Sequence, residues 1–161
     1  TNAGKSTLFN ALTKATTQVE DRLFATLDSK LRRGALDGET VAVFADTVGF
    51  IRKLPHHLVA SFRSTLEEIT FADLVLHVVD RSHAQWREQL EVGEEVLADL
   101  GTDSDKVLTV FNKIDRSGEK ARPIEGGQMV SALTGDGLDE LRSEIRRRLV
   151  VEAPTESRPT P

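Results

Sequence analysis

The stretch TNAGKSTLFN, residues 1–10, decides how the rest of the chain is interpreted. Its letters GKST, at positions 4–7, match the second half of the phosphate-binding pattern G-x-x-x-x-G-K-[ST]. The first glycine of that pattern would lie two residues ahead of Thr1. GKST alone is moderately specific, because a Lys-Ser-Thr on the surface at a helix start has the same letters. The interpretation therefore depends on the motifs that follow.

Composition excludes several classes of protein. The 161 residues carry a net charge of -5, which argues against a domain that binds nucleic acid by bulk charge alone. There is no cysteine, so disulfides and thiolate metal sites are excluded. No apolar run reaches the roughly 18 residues of a membrane helix, and a cytoplasmic protein is the default expectation. We expect one domain over residues 1–150 and a flexible tail over 151–161, which contains three prolines.

Apolar runs alternate with helical patterns along the chain. We expect helices over 5–15, 57–69, 84–100 and 137–149, strands over 72–79, 107–111 and 128–130, and a hairpin over 31–45. Asp37-Gly38 would supply the positive φ angles of the hairpin turn. This order predicts an α/β fold of the P-loop NTPase class, with three layers (α/β/α) and a mostly parallel sheet that includes one antiparallel hairpin strand. Its first strand is missing from this sequence, and we expect an apolar strand, a glycine and one further residue ahead of Thr1.

The GKST segment predicts a phosphate site at a helix start. Backbone N–H groups and the helix dipole would cradle phosphates, Lys5 would neutralise the β and γ phosphates, and the Ser6 hydroxyl would bind Mg²⁺. The predicted phosphate-binding residues are Asn2, Ala3, Gly4, Lys5, Ser6 and Thr7.

A second motif, DTVG at residues 46–49, follows the apolar strand of the hairpin. Asp46 can hold Mg²⁺ there, commonly through water, and the Gly49 amide can sense a γ-phosphate. D-x-x-G alone usually marks a turn, but at a strand end downstream of GKST it favours a nucleotide site.

The motif NKID, residues 112–115, follows the strand VLTVF. Asp115 can accept both the N1–H and the exocyclic amine of guanine, whereas adenine leaves such a carboxylate unpaired. Lys113 would lie along the base, and Asn112 would brace the loop against the phosphate side. After the next strand comes Ser131-Ala132-Leu133, where the Ala132 amide can meet guanine O6. Four motifs at successive strand ends make a chance polar loop improbable and indicate a guanine-nucleotide site.

Three stretches resemble one GTPase family. VEDRLFATLDSKLRR at 19–33, DTVGFIRKLPHHLVASFRSTLEE at 46–68 and ADLVLHVVDRSH at 72–83 are similar to HflX proteins, which are ribosome-associated GTPases. The resemblance extends to about Leu149 and implies a GTPase domain that binds the large ribosomal subunit and its rRNA, in a family some of whose members split ribosomes. The chain looks like an isolated, N-terminally truncated G domain of that family.

The resemblance also assigns residue roles. Thr26 matches the switch I threonine that reaches Mg²⁺ and the γ-phosphate, so Lys5, Thr26 and Gly49 are the predicted catalytic group and Ser6, Thr26 and Asp46 the predicted Mg²⁺ ligands. Asn2 matches the asparagine with which GTPases similar to the tRNA-modifying MnmE bind K⁺, which makes K⁺ a second candidate cofactor.

Position 50 leaves the source of catalysis open. Ras-like proteins place a water-orienting glutamine after D-x-x-G, but here Phe50 cannot form hydrogen bonds. We therefore expect slow intrinsic hydrolysis of GTP to GDP and phosphate, stimulated by K⁺ or by the ribosome. Two alternatives stay open: an Obg- or Era-type ribosome-assembly GTPase, and a nucleotide-gated binding module with negligible turnover. The run Arg146-Arg147-Arg148 is interpreted as a solvated face, with rRNA contact as the minor alternative.

Overall fold

The structure, a computed structural model, describes residues 3–13, 30–46, 69–116 and 124–151. Its helices and strands come in the order predicted for these ranges. They are α1 (Lys5–Thr13), β1 (Lys30–Ala35), β2 (Val41–Asp46), β3 (Val75–Asp80), α2 (Trp86–Asp99), β4 (Val107–Asn112), β5 (Gly127–Met129) and α3 (Leu138–Val151). The helix predicted over 57–69 and the tail after residue 151 lie almost wholly outside the described residues.

The described strands form two sheets. β3, β4 and β5 are parallel in that spatial order, and β1 pairs with β2 as an antiparallel hairpin. In the parallel sheet Asp80 lies beside Asn112, so the carboxyl ends of β3 and β4 meet at one edge. Loops that follow parallel strands gather at that edge, where α/β proteins bind their ligands. The predicted α/β architecture with a hairpin is confirmed.

Helices α1 and α3 close a common core with the sheets. Leu8 and Leu12 of α1 are 2% and 1% exposed, and they belong to the same apolar cluster as Val110 of β4 and Leu141 and Ile145 of α3. The buried positions of α1 are spaced at i, i+1 and i+4, the pattern of a helix with one apolar face. Full burial of a leucine contributes about 1.5–3 kcal/mol, so these contacts hold the start of α1 against the sheet.

The hairpin turn forms differently from the sequence-based expectation. Neither Asp37 nor Gly38 has a positive φ angle, so the predicted reason for the turn is wrong. The Asp37 side chain closes the loop instead, since its Oδ1 accepts the N–H groups of Glu39 and Thr40 at 2.9 and 2.6 Å. Leu36 N donates to Thr40 O at 2.8 Å. A local side-chain bond thus replaces the left-handed backbone of a two-residue turn.

The arginine run of α3 is exposed at Arg146 and Arg147, as predicted, and half-buried at Arg148. Arg146 pairs with Asp37 of the hairpin turn at 2.5 Å, Arg147 pairs with Glu144, and Arg148 reaches Glu144 and the Val107 carbonyl. Arg146 thus reaches the hairpin, whereas Arg147 and Arg148 share Glu144 one turn earlier on the same helix. Among the helices of the described ranges, none has the length and apolar character that a membrane crossing requires.

Candidate nucleotide-binding site

The start of α1 is built around Gly4. Its φ is +81°, in the left-handed region that L side chains avoid, and its carbonyl accepts the N–H of Leu8 at 2.9 Å. A Cβ atom at this position would lie only 2.5 Å from Asn112 Nδ2. Glycine is therefore required twice, once by the backbone angle and once by the close approach of the loop that follows β4.

Lys5 and Ser6 face the end of β2. The Lys5 ammonium forms an ion pair with Asp46 Oδ1, and Ser6 Oγ donates to Asp46 Oδ2 at 3.4 Å. Ala3 is half-buried, and Thr7 is exposed on α1. The lysine and serine of GKST and the aspartate of DTVG thus converge from segments 40 positions apart.

Asn112 joins the phosphate-loop segment to the loop after β5. Its Nδ2 donates to Ala3 O at 2.9 Å, and its Oδ1 accepts the N–H of Ala132 at 3.0 Å. The side chain is 2% exposed, so both bonds form away from bulk water. The Ala132 amide was predicted to donate to guanine O6, and in this structure it donates to Asn112 instead. One carboxamide therefore fixes the distance between two of the predicted nucleotide-binding segments.

Lys113 has an unusual backbone. Its φ of 66° is left-handed, and it is the one non-glycine residue of the described ranges with a positive φ. Its ammonium donates to Asp80 Oδ2 at 2.6 Å. Burial by itself would raise the pKa of the Asp80 carboxyl, but hydrogen bonds from Lys113 and Ser82 outweigh burial and hold that pKa below its ordinary value. The Asp80 carboxylate is therefore ionised at neutral pH.

Asp115 is held by the loop after β5. Ser131 Oγ, which is fully buried, donates to Asp115 Oδ1 at 2.5 Å and accepts the N–H of Thr134 at 3.1 Å. Leu133, in the same loop, is 72% exposed. The Asp115 carboxylate, which is predicted to bind the guanine base, thus has a fixed orientation relative to the segment 131–133.

The structure brings most of the predicted site residues to one end of the sheets. Ala3, Gly4, Lys5, Ser6, Asp46, Asn112, Lys113, Asp115, Ser131 and Ala132 are linked by the contacts above. Asn2, Thr26, Gly49 and Phe50 lie outside the described residues. Their roles, K⁺ binding by Asn2 included, stay predictions.

Asp80 was not among the site residues predicted from the sequence. Its signal was present, since the strand VLHVVD ends in aspartate just as VAVFAD does at Asp46. A single terminal Asp is common after a strand, however, and only the three-dimensional register shows that this one lies beside Asn112 and next to Lys113.

Comparisons with known sequences agree with this geometry. Residues 1–113 match the family described as "50S ribosome-binding GTPase". The chain is similar to GTPase HflX of Magnetococcus marinus, with 50% identity over 152 residues that cover 91% of this chain and 35% of that protein. It is 52% identical to GTPase HflX of Lacrimispora saccharolytica over 145 residues, which cover 88% of this chain and 34% of that protein. The chain spans about a third of the length of these curated relatives.

The chain also resembles solved structures of other proteins, one of them a GTP-binding protein. A GTP-binding protein from Sulfolobus solfataricus, determined in complex with GDP, superposes with a TM-score of 0.72 and 29% identity. The match covers 95% of this chain and 51% of that one. The cytosolic domain of the Thermotoga maritima FeoB iron transporter, at 21% identity and a TM-score of 0.62, shares the fold.

Fold, motif order and family match together define a GTPase of the P-loop class. Within that class, eight curated relatives at 42–52% identity all carry the description GTPase HflX. The chain belongs to the HflX family of GTPases.

Proposed function

We propose that this chain binds GTP and GDP at the end of the two sheets and hydrolyses GTP to GDP and phosphate. The observation that carries the proposal is the Asn112 carboxamide, which bonds to Ala3 on the phosphate side and Ala132 on the base side. A nucleotide needs both recognition surfaces at a fixed separation, and this side chain provides the link.

The phosphate end would be formed by the first turn of α1. Free N–H groups at a helix start and the positive end of the helix dipole favour an anion. Lys5 is within reach because its ammonium lies at Asp46, directly beside Ser6. A bound triphosphate would compete with Asp46 for this lysine, and Asp46 would then be free to act as a metal ligand.

The donor set at this point fits Mg²⁺. The Ser6 hydroxyl and the Asp46 carboxylate are hard oxygen ligands 3.4 Å apart, of the type that Mg²⁺ prefers alongside phosphate oxygens and water. We propose Ser6, Asp46 and Thr26 as the residues that hold it. When bound, the ion would neutralise charge that develops on the β and γ phosphate oxygens.

The base end would be formed by Asp115 and the segment that follows β5. The carboxylate of Asp115, fixed by Ser131, would accept two N–H groups of guanine. When a base binds, the Ala132 amide would divide its hydrogen bond between Asn112 and guanine O6. Adenine offers no donor pair to Asp115, so it would leave this carboxylate unpaired.

The cellular role that we propose is nucleotide-controlled binding to the large ribosomal subunit, in the cytoplasm. Its support is the family description, which names the 50S ribosome, and the similarity to HflX proteins. Hydrolysis would release the two segments predicted to sense the γ-phosphate, around Thr26 and around residues 46–50, and would so change the affinity for the ribosome. Ribosome splitting is the finer form of this proposal.

Phosphate release from GTP tests the proposal. We expect slow release by the protein alone and clear stimulation by 50S or 70S particles, because Phe50 cannot orient the attacking water. The matched control is Lys5→Ala, which should abolish both rates. Nucleotide binding with no release in either condition would favour the alternative, a nucleotide-gated binding module, and would contradict the enzyme assignment.

A further inference from the structure

Asp80 lies one strand away from the NKID loop and is oriented by its own neighbours. Its Oδ1 accepts the N–H of Ser82 at 3.0 Å and the Ser82 hydroxyl at 2.6 Å. The register places Asp80 opposite Asn112, and Arg81 N donates to Asn112 O at 2.9 Å. The carboxylate is therefore fixed relative to Asn112, with its second oxygen left for Lys113.

The Lys113 side chain runs from the NKID loop towards this carboxylate. A Cβ built at Gly4 would lie 3.6 Å from Lys113 Cε, so the end of the lysine stem passes beside the glycine of the phosphate loop. The ammonium then reaches Asp80 Oδ2 at 2.6 Å. The stem is thus bounded by the phosphate loop and by the end of β3.

This arrangement has an energetic cost at the backbone. A left-handed φ is unfavourable for a lysine, and such a conformation persists where surrounding contacts favour it. The ion pair with Asp80 is a contact of that kind, since the two side chains are only 24% and 10% exposed. A half-buried, well-oriented pair is screened less by water than a surface pair.

We propose that Asp80 is a positioning residue for nucleotide binding: it anchors the Lys113 ammonium so that the lysine stem stays beside Gly4 as one wall of the base site. The inference rests on the proposed nucleotide site and adds to it a residue outside the four motifs. Asp80 acts through Lys113 and touches no part of the nucleotide.

A double-mutant cycle in GDP affinity tests this role. Asp80→Asn keeps the size of the side chain and removes its charge, and we expect it to weaken GDP binding about tenfold, in the middle of the range measured for directly coupled pairs. In the Lys113→Ala background the same change should alter affinity less than about twofold, because its target is gone. Ser82→Ala should weaken binding by about two- to threefold, also only when Lys113 is present.

The controls separate positioning from general stability. Glu144→Gln removes a carboxylate that pairs with Arg147 and Arg148 on α3, and GDP affinity should not change. Thermal melting of each variant shows whether it is folded, and Ser82→Ala serves if Asp80→Asn does not fold. Equal weakening in both backgrounds, or no weakening at all, would overturn the inference while the nucleotide site stands. Failure of the unmodified protein to bind GDP would overturn the proposed function together with it.

Discussion

Asp115 is the residue on which the choice of base depends in the proposed site. Its carboxylate is fixed by Ser131 Oγ at 2.5 Å and presents acceptors only, as an ionised carboxylate does. Guanine carries two adjacent N–H donors that match such acceptors. Xanthine carries a carbonyl where guanine has its exocyclic amine, so it needs a donor on the protein.

Asp115→Asn should therefore change the preference of the site from guanine to xanthine. The new amide can donate to the xanthine carbonyl but leaves a guanine donor without an acceptor, and we expect GDP affinity to fall about 100-fold or more while XDP affinity rises. Competition titration with both nucleotides measures the exchange. The matched control, Asp99→Asn at the exposed end of α2, should bind GDP normally. Unchanged GDP affinity in Asp115→Asn would remove Asp115 from the site.

Gly4 permits a second prediction at this scale. Gly4→Ala places a Cβ 2.5 Å from Asn112 Nδ2 at a φ of +81°, so we expect at least about 1 kcal/mol of lost stability and weaker nucleotide binding. Gly38→Ala is the control, because its Cβ meets nothing within 4 Å and its φ is not left-handed. Urea unfolding and GDP titration of both variants compare them. Equal behaviour of the two would contradict the close packing of Gly4 against Asn112.

Among the secondary-structure elements, α3 contacts both α1 and the hairpin through arginine side chains. These arginines are expected to contribute unequally to the free energy of unfolding. Arg142 donates to the Ala11 carbonyl of α1 at 3.0 Å and to Asp139, and its side chain is only 17% exposed. The Ala11 carbonyl belongs to the last turn of α1, where carbonyls lack partners within the helix. Arg147, by contrast, is 64% exposed, and among the described residues its ion-pair partner is Glu144 of the same helix.

Arg142→Ala should cost more stability than Arg147→Ala. We expect about 1–2 kcal/mol for Arg142, since a partly buried carbonyl loses its charged donor, and a smaller cost for Arg147, whose exposed pair is screened by water. Chemical unfolding monitored by Trp86 fluorescence measures both, because this residue is the single tryptophan of the chain and stacks edge-on against Phe111 in β4. The reverse order of the two costs would contradict the assigned role of Arg142.

Across the whole molecule, the bounds of helices and strands were predictable where apolar residues recur at a regular spacing. The helix over 84–100 and the strand over 107–111 were placed within two residues of α2 and β4, since apolar spacing directly reflects which face is buried. The clustering of the motifs was also predictable, because parallel strands bring their carboxyl ends to one edge.

Contacts between distant segments were not predictable from pattern. Lys5 and Asp46 are 41 positions apart, and Lys113 and Asp80 are 33 apart. The spacing of apolar residues predicts neither of these ion pairs, because each one depends on strand register and on the direction of the side chains. The closure of the hairpin by Asp37 was missed for a related reason: Asp-Gly letters fit both a left-handed turn and a side-chain-closed loop.

The stability of the whole molecule depends on pH through a buried histidine between β3 and α2. His77 of β3 is 8% exposed, a Cβ at Gly93 of α2 would lie 2.2 Å from its Nε2, and within the described structure its Nδ1 has no hydrogen-bond partner. Burial lowers the pKa of His77 below its ordinary value of 6.5. The unfolded chain therefore takes up this proton at a higher pH than the folded one, and the free energy of unfolding falls as pH drops below about 6.5.

Urea unfolding at pH 7.5 and 5.5 checks this sign. We expect the midpoint to decrease at the lower pH, and His77→Leu to show a smaller decrease because it carries no titrating group. The exposed His83, changed to Leu, should leave the pH effect intact. An equal decrease in the wild type and in His77→Leu would assign the pH dependence to other groups.

The central claim is a guanine-specific nucleotide site formed by Lys5, Asn112 and Asp115. Equilibrium titration of the protein with GDP and with ADP in Mg²⁺ tests it most directly. We expect saturable binding of GDP and binding of ADP weaker by about 10⁴-fold, because adenine leaves the Asp115 carboxylate unpaired. Comparable affinities for the two nucleotides, or no binding of GDP, would contradict it.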